Sequence, residues 1–210
     1  MRNMVKKTVN KLLNEIFNIN SINQEKLKKD FDLQFRHSSK GKNEDKYNRI
    51  LKYTFKTKKY KYIVDIEEYD FGFNLISFYP KLNVDFELRQ LELSKQHKPY
   101  YTKYSYQTKE NIPLQIFNLL MVIMKDLLKE NPNLSFGFFG SPNINTDDDS
   151  DFFNTKRMRI YLEMIKRNFQ HTHKFTVKYE YSGGLILNNE VLTENPSLVN
   201  YSQSILKSHL

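Results

Sequence analysis

The chain predicts an α+β domain built on a mixed, mostly antiparallel sheet, with one long buried helix and a second, C-terminal helix. Three observations carry this. Residues 49–79 alternate apolar and polar in three successive stretches, the signature of a strand meander. Residues 112–129 are apolar almost all round, with Pro113 suited to a first turn and Asn131-Pro132 supplying a stop. Leu134–Phe139 is then a short apolar strand, followed after an acidic loop by the amphipathic stretch Thr155–Phe169. A strand caught between two helices after a meander calls for a mixed sheet.

Taken in order, Val5, Val9, Leu12, Leu13, Ile16 and Phe17 follow helical spacing over roughly residues 3–18. Ser21-Ile22-Asn23-Gln24 has the form of a capping box, opening a short helix towards Asp30. Phe31, Leu33 and Phe35 alternate as a short strand, and Ser38–Asp45 reads as a loop within the same domain. Arg49–Lys56 and Tyr60–Ile66 are strands joined by Thr57-Lys58-Lys59. Glu67–Asp70 is an acidic turn into Phe71–Tyr79, which is apolar on both sides and so central in the sheet, and Pro80 ends it. Asn83–Leu88 alternates once more, and residues 89–111 form a polar, aromatic-rich connection. After the helix 155–169, Phe175–Tyr181 alternates and Ser182-Gly183-Gly184 turns the chain into Leu185–Leu187. Pro196–Leu206 is a last short helix. The whole reads as one domain: a basic helical part (1–45), an α+β core (46–188) and a tail helix (189–210).

At 210 residues with 39% hydrophobic and 14% aromatic content, the chain can bury a substantial core. It has no Cys, which excludes disulfides, thiolate metal sites and a Cys nucleophile. No apolar run approaches the roughly 20 residues that span a bilayer, and the first residues make a poor signal peptide. A cytoplasmic protein without membrane contact is expected. Charge is uneven: residues 1–60 hold 16 Lys/Arg against 6 Asp/Glu, a net +10, whereas residues 61–210 hold 17 against 18. The ordinary reading of such a basic third is a solvated lysine surface, since the lysines alternate with core-type residues; it also suits nucleic acid or another polyanion.

The candidate site is the end of strand 134–139, with Ser141, and the first turn of the helix 155–169. Lys156, Arg157 and Arg159 there place three cations where the helix macrodipole favours acids. An anion docked at that turn would relieve the conflict; so would the aspartates of Asp147–Asp151 acting as caps and counter-ions. Those aspartates lack the spacing, central Gly and distal Glu of a calcium loop. His171-x-His173 offers two imidazoles without a third ligand, so no metal is assigned. Tyr100, Tyr101, Tyr104 and Tyr106 alternate with lysines in a manner that fits a stacking platform for single strands or a half-buried strand.

The element order resembles the acetyltransferase (GNAT) fold. The last helix of that family carries Asn-x-x-Ala-x-x-Leu-Tyr-x-x-x-Gly-Phe; here Asn154 stands seven before Tyr161, while Lys166 occupies the Phe position. The resemblance implies that Tyr161 is the acid that protonates a leaving thiolate and that the cofactor is acetyl-CoA. The family holds the pyrophosphate with a Gly-containing loop into the long helix, and Tyr104–Ile112 has no glycine. Usual acetyl-CoA chemistry is therefore not expected. Asn131-Pro132-Asn133, Phe136-Gly137-Phe138, Gly140 and Asn154–Tyr161 also resemble small uncharacterised proteins of Bacteroidota-type genomes and mobile elements. Two alternatives follow: a nucleic-acid-binding module using the basic first 60 residues, and a structural or interaction protein of a phage or mobile element that docks a protein partner.

Overall fold

The computed structural model describes residues 22–41, 47–81, 112–139, 156–178 and 183–209. The chain is an α+β protein, and its described residues form a seven-stranded mixed sheet of order β1-β2-β3-β4-β5-β7-β6. The elements are α1 (Gln24–Asp30), β1 (Gln34–Lys40), β2 (Arg49–Lys56), β3 (Lys61–Glu68), β4 (Phe73–Pro80), α2 (Pro113–Glu130), β5 (Ser135–Phe139), α3 (Lys156–Phe169), β6 (His173–Lys178), β7 (Gly183–Asn188), α4 (Asn189–Glu194) and α5 (Leu198–Ser208). Every ladder is antiparallel except β4–β5 at the centre, which is parallel. The helix 3–18, the stretch 83–111 and the aspartate loop 147–151 lie outside the described residues.

Alternation gives the sheet two faces with different covers. On the first, Leu51, Phe55, Tyr62, Val64, Ile66, Ile76, Phe136 and Ile186 meet α2 and the C-terminal half of α3 in one core. Phe55 and Phe136, the largest of its completely buried side chains, have no exposed surface. On the second face, Phe73, Leu75, Leu185 and Leu187 are covered by Leu198, Ile205 and Leu206 of α5. Because β4, β5 and β7 bury both faces, they read as continuous apolar runs; β2 and β3, with more polar residues on one side, alternate. Gly137 and Gly184 admit aromatic rings across the sheet: a Cβ at Gly137 would lie 2.6 Å from the Phe73 ring, and one at Gly184 2.4 Å from the Phe138 ring.

Several boundaries differ from expectation for local reasons. Asn23, not Ser21, caps α1; its side-chain oxygen accepts from Lys26 N at 2.9 Å. Phe31 closes α1 and Asp32 takes a positive φ of 48°, so the strand starts at Gln34 and continues to Lys40, taking in the first three residues of the expected loop. Among the described residues β1 pairs with β2 alone, and it has a register shift between Phe35 and His37, which explains its weak apolar alternation. Glu67 and Glu68 belong to β3, and the turn is Tyr69–Gly72, with Phe71 at φ 57°. Pro80 is the last residue of β4 rather than a stop beyond it. Lys81 N donates to Lys61 O at 2.7 Å, so by alternation the N–H that Pro80 lacks would point away from β3. On that side the β4–β5 ladder has already ended, at Ile76 and Phe138. Gly183 and Gly184 are strand residues, buried in β7 rather than part of a turn. The helix α4, capped by Asn188, was not expected, and the tail helix starts at Leu198.

Candidate functional site

Among the described residues, the central parallel pair is the one place where two neighbouring strands finish at the same end of the sheet. Their ladder runs from Phe73/Ser135 to Ile76/Phe138. Beyond it β4 continues to Pro80 paired with β3, and β5 ends at Phe139 paired with β7. The parallel strands therefore part company at their carboxyl ends, where open sheets of parallel strands bind ligands.

Two helices begin at this same end. Residues 131–134 join α2 directly to the start of β5, and residues 170–172 join α3 directly to the start of β6. β6 is antiparallel to β7 and β7 to β5, so β6 runs with β5. Both helices pack on the first face and so run back against β4 and β5, over about 27 and 21 Å at 1.5 Å per residue. Arg49, beside Glu68 at the starting end of β4, accordingly feels the carboxylate of Glu130 at the finish of α2. The positive ends of two macrodipoles thus face the carboxyl ends of the parallel strands, and neither first turn contains an acid. Ile112 at the start of α2 makes no side-chain cap, and Pro113 needs no partner for an N–H it does not have. In the second turn of α2, the buried Asn118 Oδ1 has no hydrogen-bond partner among the described residues.

The sequence-derived residues fall at this end in part. Lys156, Arg157, Arg159 and Tyr161 lie in the first half of α3, but their side chains, like Ser141, are outside the described residues. Of the expected apolar stripe Met158, Tyr161, Leu162, Ile165 and Phe169, the last two are buried and Leu162 is half-buried, with Met164 buried beside them; the Met158 and Tyr161 side chains lie outside the described residues. On the polar side Lys166 is exposed, and Arg167 Nε donates to Glu163 Oε1 at 2.6 Å.

His173 is a structural residue. Its imidazole is buried, with Nε2 donating to Leu134 O at 2.9 Å and Nδ1 accepting from Thr172 Oγ1 at 2.7 Å. Both nitrogens are in use, and His171 is exposed in the turn. Among the described residues no group of three metal-ligating side chains forms. Burial holds the His173 imidazole below the usual histidine range, against a smaller opposing effect of the Leu134 carbonyl. The unfolded chain then binds the proton more readily, so this contribution to stability is complete above about pH 6.5 and is lost as pH falls below it. Thermal melts from pH 8 to 5 should show a steeper acid loss in the wild type than in His173→Gln, which keeps a donor for Leu134 O but does not titrate.

A shallow recess of about 350 Å³ lies beside His173, lined by Ile165, Lys166, Phe169, Gln170 and Ile186. It flanks the C-terminal end of α3, away from the carboxyl ends of β4 and β5. At that lower end Asn188 links strand to helix: its N–H donates to Ser135 Oγ, its Nδ2 to Pro132 O, and its Oδ1 accepts from Glu190 N and Val191 N. Glu67 Oε2 similarly takes hydrogen bonds from Tyr69 Oη at 2.7 Å and His209 Nε2 at 2.9 Å, fastening the end of α5 to β3. Among the described residues no helix is long and apolar enough to cross a membrane. No protein-family model, curated protein or solved structure matches this chain.

Proposed function

We propose that the chain is a GNAT-like protein that binds a phosphate-bearing, coenzyme-A-type anion where β4 and β5 diverge, without the usual acetyl-CoA chemistry. The observation that carries this reading is the convergence of two acid-free helix N-termini on the carboxyl ends of the central parallel pair. Backbone N–H groups and aligned dipoles bind anions at helix starts. Lys156, Arg157 and Arg159 are the cations of the first turn of α3, and Ser141 follows β5 by two residues in the sequence. The meander, crossover helix, strand, helix and hairpin occur in the order expected from the GNAT resemblance. The glycine-free approach to α2 separates this chain from the family's usual pyrophosphate loop. In this reading Tyr161, one turn along α3, is the proton donor for any acyl transfer.

The test is a thermal melt with coenzyme A and, separately, acetyl-coenzyme A. At about 100 times the Kd, a ligand adds about 2.7 kcal/mol. At about 2–4 °C per kcal/mol for a chain of this size, the midpoint should rise by about 5–11 °C. Similar shifts with both ligands, abolished by Arg157→Ala, support the anion site. A flat melt with both removes it.

A further inference from the structure

We propose that Arg36, Lys56, Lys61 and Lys81 form a row on the second face of the sheet that docks the phosphodiester backbone of a nucleic acid. This goes beyond the coenzyme-A reading and does not depend on it. It also departs from the expectation of a basic N-terminal third, because Lys61 and Lys81 lie outside the first 60 residues.

Strand register builds the row. Lys56 of β2 stands directly opposite Lys61 of β3. Lys81 continues β4 one residue beyond the Tyr62–Pro80 pair, and its N–H donates to Lys61 O at 2.7 Å. The three lysines therefore occupy one rung across three neighbouring strands, with about 4.8 Å between strands. Arg36 joins from β1: its Nε donates to Thr54 Oγ1 at 2.7 Å, and Thr54 precedes Lys56 by two residues on the same face. Arg36, Lys56 and Lys81 are exposed and Lys61 is half-buried; Lys58 and Lys59 in the adjoining turn are exposed.

Like charges set directly across a ladder oppose pairing, so this rung costs stability in the free protein. The crowding is felt at Lys61, whose ammonium is held below the usual lysine range by desolvation first, then by Arg36, Lys81 and Lys56. One carboxylate, Asp32, offsets this charge in part: it lies 2.8 Å from Lys56 Nζ and acts at longer range on Arg36 and Lys61. Among the described residues no ion pair involves Arg36, Lys61 or Lys81. Farther along the same face, the contrast is plain. Lys52 lies 3.2 Å from the buried Asp65, whose other oxygen accepts from Tyr79 Oη at 2.7 Å. Inner charge is neutralised, while the outer rung is left cationic. An exposed row at strand spacing suits a chain of regularly repeated phosphates better than a single phosphate group, and it supplies contacts that position a backbone without reading bases.

The test is fluorescence anisotropy with labelled 20-nucleotide single-stranded RNA, single-stranded DNA of the same sequence and the DNA duplex, at 50–200 mM KCl. Wild-type binding should weaken with salt by about 0.7 in log–log slope per phosphate neutralised on single strands, or about 0.9 on duplex. The variant Lys56→Gln/Lys61→Gln/Lys81→Gln should bind at least about tenfold more weakly at 50 mM, with a slope shallower by about 2–3. It should melt at or above the wild-type temperature, because the repulsion is gone. Lys129→Gln/Lys207→Gln, which removes charge elsewhere, should bind as the wild type does. Preference for one polymer identifies the occupant and supports the proposal. Failure to bind all three polymers overturns it, as does equal weakening by the two variants.

Discussion

Phe136→Ala is expected to cost about 3–5 kcal/mol, the range for truncating a fully buried phenylalanine. Phe136 has no exposed surface and stands in register between Asn74 of β4 and Ile186 of β7. It fills the space beneath α2 and α3, and flanking strands held by backbone hydrogen bonds cannot close in to fill the cavity. The loss should lower the melting midpoint by about 6–20 °C at about 2–4 °C per kcal/mol. The same truncation at Phe35, which is 55% exposed on the edge strand, should move the midpoint far less. Comparable losses at the two positions would show that the first-face core is not where the structure puts it.

Gly137→Val is expected to cost about 1–3 kcal/mol or more through overpacking. A Cβ there lies 2.6 Å from Phe73 Cζ and 3.5 Å from Leu206 Cδ2. Phe73 and Leu206 are themselves completely buried, so neither has solvent to move into. The penalty should shrink in a Phe73→Leu background, because the smaller side chain gives the new methyl groups room. A double-mutant cycle read by urea denaturation measures the coupling. Strictly additive effects would mean that Gly137 and Phe73 do not meet across the parallel pair.

Periodicity made the layers legible. The run Ile112–Lys129 could be read as a buried helix because nearly every position is apolar, and α2 is that helix. Leu134–Phe139 and Phe71–Tyr79 could be read as inner strands for the same reason, since both faces are covered. Boundaries set by single hydrogen bonds were less legible. Asn23 and Asn188 cap helices through local geometry that no hydrophobic pattern encodes, and Asn188 opens a helix too short to show a period. β1 was misplaced because its side chains are mostly exposed, so burial imposes little alternation on it. At the candidate site, the cationic first turn was visible in Lys156, Arg157 and Arg159 as a conflict with the dipole. The start of α2 at the same end was not, because it depends on the path of the crossover. The lysine rung was missed for a related reason: Lys56, Lys61 and Lys81 look scattered until the register aligns them.

Gly137 and Gly184 carry a consequence for how this sequence can diverge. Each faces an aromatic ring on a neighbouring strand, Phe73 on one side of the sheet and Phe138 on the other. Neither partner can change freely: a larger residue at either glycine position requires a smaller one at its phenylalanine. Relatives with little overall identity should therefore retain two linked exchanges, 73 with 137 and 138 with 184. A joint pattern of this kind, tracked through compensating pairs, can reveal common descent after the surface has lost every recognisable match.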